Sequence, residues 1–145
     1  MIITATVNSR SSNKILKNFK KYPVSVQKEI RKEISETAVS IETRAKNNSP
    51  VKTGRLRSSI HSKLKNNENY PYSDNEGRSF IGTLLTPFKG IGALVGTNVE
   101  YAAMVEYGEI ETKTGQQPFL GPAATAEKPK FIQNITRAVR RTNLK

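Results

Sequence analysis

The sequence predicts an α+β domain in which a long N-terminal helix and a C-terminal helix pack on a small antiparallel sheet. Val26, Ile30, Ile34, Ala38, Ile41 and Ala45 recur three or four residues apart, an apolar stripe along roughly six helical turns. Past Ile60 the texture changes to short apolar runs broken by Asn, Gly and Pro clusters, the pattern of strands joined by turns. Helical spacing returns near the C-terminus with Phe131, Ile132, Ile135, Ala138 and Val139. Helices grouped around strands, rather than alternating with them, place the chain in the α+β class.

Taken in order, Ile3, Ala5 and Val7 of "IITATV" alternate as in a short strand, and the serines before Ile15, Leu16 and Phe19 open a first helix. The long helix starts at Pro23 or Ser25. It ends in "NNSP", because a proline disfavours helical backbone in the residue before it. Its other faces carry Lys28, Glu29, Arg31, Lys32, Glu33, Glu36, Glu42, Arg44 and Lys46, the composition of a solvated surface.

The next stretch, "SPVKTGRLRSSI", reads as a corner from helix to sheet. Thr53 is suited to cap a short helix, Gly54 allows a tight start, and Leu56 and Ile60 point inward. The competing reading is a phosphate site with Lys52, Arg55 and Arg57 on its rim. Strands are expected from Ile60 to Leu64 and in "SFIGTLL", "IGALVGT" and "VEYAAMVEY". The polar "NNENYPYSDNEGR" has little to bury, so a mobile loop is expected within residues 65–90. The final helix is expected from about Pro129, ending in the basic "RAVRRTNLK". A chain of 145 residues fits a single domain spanning residues 1–145.

Twenty-four lysines and arginines against 12 acids give a net charge of +12, which attracts any polyanion without specificity. There is no cysteine, and His61 is the one histidine, so disulfides, thiolate or imidazole metal sites and a histidine-based triad are excluded. No metal or cofactor is expected. No apolar run is long enough for a membrane span and "MIITATV" lacks the form of a secretory signal, so the expectation is a soluble protein made in the cytoplasm, without a membrane partner.

"SSNK", "SDN" and "KTG" follow the order of the serine β-lactamase motifs, which would make Ser11 a nucleophile. Such a site lies between two subdomains that together exceed this chain, and "KTG" occurs a second time at Lys52-Thr53-Gly54, so the match carries no weight. The chain is read as not an enzyme.

Three blocks carry a more specific likeness: Pro50-Val51-x-Thr53-Gly54-x-Leu56-x-x-Ser59-Ile60 after a long helix, then Tyr101-Ala102-x-x-Val105-Glu106-x-Gly108, then Pro118-Phe119-Leu120-x-Pro122-Ala123. In this order they resemble the head-tail joining proteins of tailed bacteriophages, also called neck, tail-completion or minor tail components. The resemblance implies a structural virion protein: a subunit of a hexameric ring in the neck, made in the host cytoplasm, whose partners are its own copies and the connector and tail proteins. The sequence departs from the family's pattern in its long segment from "NNENYPY" to "TPFKG" and in Gln116-Gln117, where a basic residue is common.

Candidate interface residues are Arg55, Arg57, Tyr101, Glu106, Tyr107, Glu109 and Phe119. The aromatic ones supply large contact area, with ordinary core packing as the competing reading. Glu106, with Glu100, Glu109 and Glu111 nearby, is expected to meet a basic partner from elsewhere. Residues 1–28 hold lysines and arginines without acids, and residues 99–112 hold acids without bases. This segregation suits a head-to-tail contact between copies, or an internal pairing. Lys14, Lys17, Lys20, Lys21, Arg137, Arg140 and Arg141 are candidate basic contacts. The rival function is a nucleic-acid-binding protein that grips the DNA backbone without sequence specificity; few aromatics are interleaved with the basic clusters, so a single-strand stacking platform is disfavoured.

Overall fold

The computed structural model describes Lys14 and residues 18–65, 72–73, 79–80, 83–84, 92–108 and 115–141. A 3-10 turn at Phe19–Lys21 leads into helix α1, Val24–Asn48. The corner helix α2, Arg55–Ser59, follows, and then strand β1, His61–Lys65. Strands β2 (Tyr72–Ser73), β3 (Ser79–Phe80), β4 (Thr83–Leu84) and β5 (Gly92–Gly96) precede helix α3, Ala102–Tyr107, and helix α4, Leu120–Arg140.

The predicted stripe is the spine of the core. Val26, Ile30, Ile34, Ala38, Ile41 and Ala45 are all buried, as helical spacing requires of one continuous face. Against them lie Leu120, Ala123, Ala124, Phe131 and Ile135 of α4, with Leu56 and Ile60 of the corner and Ala93 and Val95 of β5. Each large aliphatic or aromatic side chain so buried stabilises the fold by about 1.5 to 3 kcal/mol. α1 and α4 run antiparallel: Asn134 Nδ2 donates to Glu33 Oε2 at 2.9 Å, and further along Arg44 pairs with the buried Glu127.

The sheet has the order β1-β5-β4, antiparallel throughout, with Ser62 opposite Val95 and Thr83 opposite Val95 on the other side. β2 and β3 form a separate antiparallel pair. β5 is central and buried along its whole length, which explains its run of small and apolar residues without polar alternation. Ala93 and Val95 belong to the core cluster that includes α1. The α+β class therefore stands, and the C-terminal helix lies along the long helix.

Two expectations are corrected. "VEYAAMVEY" is not a strand: residues Ala102–Tyr107 form α3, with Ala102, Ala103 and Glu106 buried. The run Ala-Ala-Met favours helix, and the buried positions are spaced for one helical face. The final helix begins nine residues earlier than Pro129, at Leu120, and Pro129 sits exposed inside it. The carbonyl that Pro129 leaves without an amide is Thr125's, on the exposed side, where water can satisfy it. The "IITATV" strand, the Ile15 and Leu16 part of the first helix, and most of the loop expected within residues 65–90 lie outside the described residues.

Candidate interface at the motif joint

The three sequence blocks, separated by up to about seventy residues in the chain, meet at one end of the α1/α4 pair. Their junction is built on Glu106. Its Oε2 accepts from the backbone N–H of Phe119 at 2.8 Å and of Leu120 at 3.0 Å, and its Oε1 accepts from Gly121 N–H at 2.7 Å. The first four N–H positions of an α-helix have no partner within the helix. In α4 these belong to Phe119, Leu120, Gly121 and Pro122; the first three are held by one carboxylate, and proline has no N–H to satisfy. The negative charge also faces the positive end of the helix dipole. This is why α4 starts without a capping side chain of its own. Gly121 must be small: a Cβ there would stand 2.9 Å from Glu106 Oε1.

Two further hydrogen bonds complete the seam. Gln117 N–H donates to the Val105 carbonyl at 2.8 Å, and Asn48 Nδ2 donates to the Phe119 carbonyl at 3.3 Å, tying the ends of α1, α3 and α4 together. Glu106 and Phe119, expected at an interface between molecules, are thus internal to their own chain, with Phe119 fully buried. The partner of Glu106 is backbone amide, not a basic side chain.

The first block meets the second through Arg55. Its guanidinium makes two parallel hydrogen bonds to Glu100, at 3.0 and 3.1 Å, and its Cζ lies 5.9 Å from the centre of the Tyr101 ring. Arg57 is exposed and reaches the Ser49 carbonyl at 3.4 Å. With both arginines turned to protein groups, the phosphate-site reading of the corner loses two of its three cations. Gly54, not Thr53, caps α2: it adopts the left-handed conformation, φ +79°, and the Thr53 hydroxyl accepts only a long 3.4 Å bond from Arg55 N–H. Leu56 and Ile60 are buried, as the spacing predicts.

A groove of about 340 Å³ runs between the blocks, lined among others by Pro50, Lys52, Leu56, Tyr101, Val105 and Gln117. Lys52 and Gln117 are exposed at its rim, and large apolar side chains are exposed in the same blocks. Val51 is 58% exposed, and on α3 Met104 and Tyr107 are 41% and 60% exposed. Tyr107 therefore remains available to a neighbour, and Tyr101 partly so.

Lys14, Lys20, Lys21, Arg137, Arg140 and Arg141 are all exposed. Lys17 and Glu109 lie outside the described residues. Of the four acids in residues 99–112, Glu100 accepts from Arg55 of α2 and Glu106 from the start of α4. Sequence reasoning missed the capping role of Glu106. The available signal was a helix start with a proline in its first turn and no Ser, Thr, Asp or Asn to cap it, preceded in the chain by a motif glutamate.

Among the described residues no group of His, Asp and Glu could hold a metal ion, and no helix is long and apolar enough to cross a membrane. Comparison with curated proteins and with solved structures gives no significant match. The sequence signature described as "Bacteriophage HK97-gp10, putative tail-component" matches residues 13–108, taking in α1, the corner and α3. That span is well over half of the 145 residues, so the chain belongs to the HK97-gp10-like family of phage tail components and is a structural protein of a bacteriophage virion.

Proposed function

We infer that the protein acts by binding alone: it assembles as a ring in the neck of the particle and joins the filled head to the tail. The observation that carries this reading is the apolar surface left beside the motif joint. Val51, Met104 and Tyr107 are three of the five large hydrophobic side chains exposed among the described residues. Val51 and Met104 are chain neighbours of the groove-lining Lys52 and Val105, Tyr107 follows Met104 by nearly one helical turn, and the Glu106 and Arg55 contacts hold the segments that carry them. Rigid apolar and aromatic side chains beside a preformed groove are what a protein–protein interface uses as anchors. Other copies of the chain and the connector and tail proteins are the proposed occupants.

Deleting the gene in its phage and imaging the lysate tests the proposal. Joining requires that DNA-filled heads and finished tails accumulate separately. Heads without DNA, or a failure of genome replication, would instead assign the protein to an earlier step.

A further inference from the structure

We propose that the end of the α1/α4 pair opposite the motif joint grips the phosphate backbone of double-stranded nucleic acid. Because α1 and α4 are antiparallel, the first turn of α1 and the last turn of α4 lie at the same end. Arg31 of α1 stands 5.6 Å from the centre of the Phe19 ring, which holds the 3-10 turn against that end. Six exposed cations are thereby gathered from distant parts of the chain: Lys20, Lys21 and Lys28 with Arg137, Arg140 and Arg141. The motif joint lies about 37 Å away, the length of the 25 residues of α1.

These six combine a lack of acidic partners with a place at one end of the helical pair, whereas Lys52, Arg57, Lys128 and Lys130, which also lie outside any ion pair among the described residues, belong to the corner and the middle of α4. Lys32, Arg44, Lys46 and Arg55 are each paired with a glutamate. None of the six makes an ion pair among the described residues; the first three turns of α1 carry two carboxylates, Glu29, which is exposed, and Glu33, which accepts from Asn134 of α4. A concentration of unneutralised charge costs self-repulsion, which a polyanion relieves. The same end offers no stacking surface: Phe19 is buried and Tyr22 partly so. That absence among the described residues favours a duplex backbone over unstacked single-strand bases. Cations drawn from the 3-10 turn, the start of α1 and the last turn of α4 include no base-reading element, so binding is independent of sequence.

The test is fluorescence anisotropy with a labelled DNA duplex of about 20 base pairs, at salt between about 50 and 200 mM. Three proteins are compared: the full chain, the R137A/R140A/R141A variant, and K52A/K128A/K130A, which removes the same charge elsewhere. A second pole variant, K20A/K21A, guards against a folding defect in the first, and thermal melts accompany all of them. The arginine variant is expected to bind more than about tenfold more weakly at low salt and to lower the slope of log K against log salt by about 2 to 3. The K20A/K21A variant is expected to lower it by about 2. The control is expected to change little, and two unrelated duplex sequences to bind alike. Equal losses in pole and control variants would overturn the proposal, as diffuse charge then explains binding. It would also be overturned by a preference for single strands, or by equally effective competition from polyglutamate, which points to an acidic protein instead. These outcomes leave the joining role untouched, because that role is read from separated heads and tails.

Discussion

Glu106 does at the level of one side chain what a helix normally achieves with several groups. A buried carboxylate with three N–H donors is well satisfied, whereas three buried amides without it are not. Glu106→Ala is therefore expected to destabilise the fold by at least about 3 kcal/mol in a denaturant titration, and Glu106→Gln, which keeps one acceptor oxygen, by about 2 kcal/mol. An unchanged midpoint with lost assembly would mean that Glu106 serves an interface after all. Glu42 supports a second seam. Burial pushes its carboxyl pKa up, but hydrogen bonds from Lys46 Nζ, and from the Ser62 hydroxyl at 2.6 Å and N–H at 2.8 Å, outweigh this and hold it below the usual carboxylate value. A depressed native pKa adds stability that is fully present above the unfolded value of about 4.3 and is lost as pH falls through the lower native one. Stability should thus decline below about pH 4.3, and Glu42→Gln should flatten part of that decline when melts are recorded across the range.

At the level of elements, the corner between α1 and β1 rests on backbone shape rather than on a capping hydroxyl. Gly54 stands at φ +79° with open space where a Cβ would be, so Gly54→Ala is expected to cost about 1 to 2 kcal/mol through backbone conformation alone. Thr53→Ala should stay within about 0.5 kcal/mol, and buried Leu56→Ala should cost about 2 to 4 kcal/mol. Equal losses for Thr53 and Gly54 in unfolding titrations would restore the threonine cap. Elements with a long period were legible in the sequence: α1 declared itself through six residues on one face, and β5 through a short apolar run between glycines. α3 was not, because six residues give less than two turns of periodicity, and the tyrosines and valines around it imitate a strand. The start of α4 was hidden because its cap comes from another element, so the local signal favoured Pro129.

For the whole molecule, the structure separates two surfaces at opposite ends of one helical pair: a joint built by the motif blocks, and a basic end assembled from the first and last described helical turns. The positions of the motif residues were legible in the sequence, but their duties were not. Phe119 and Glu106 look like exposed anchors in a linear reading and become core only when α4 folds back beside α1. Tyr107 keeps its place at the surface, and Met104 beside it carried no sequence signal beyond its size. The central claim is that the apolar face of α3 joins the particle's parts while the residues behind it merely hold it in place. Its most direct measurement is the fraction of joined particles in electron micrographs of a phage carrying Met104→Asp and Tyr107→Asp, in a protein whose purified form melts as the wild type does. The account predicts filled heads and finished tails lying apart. A normal yield of joined virions from that phage would contradict it.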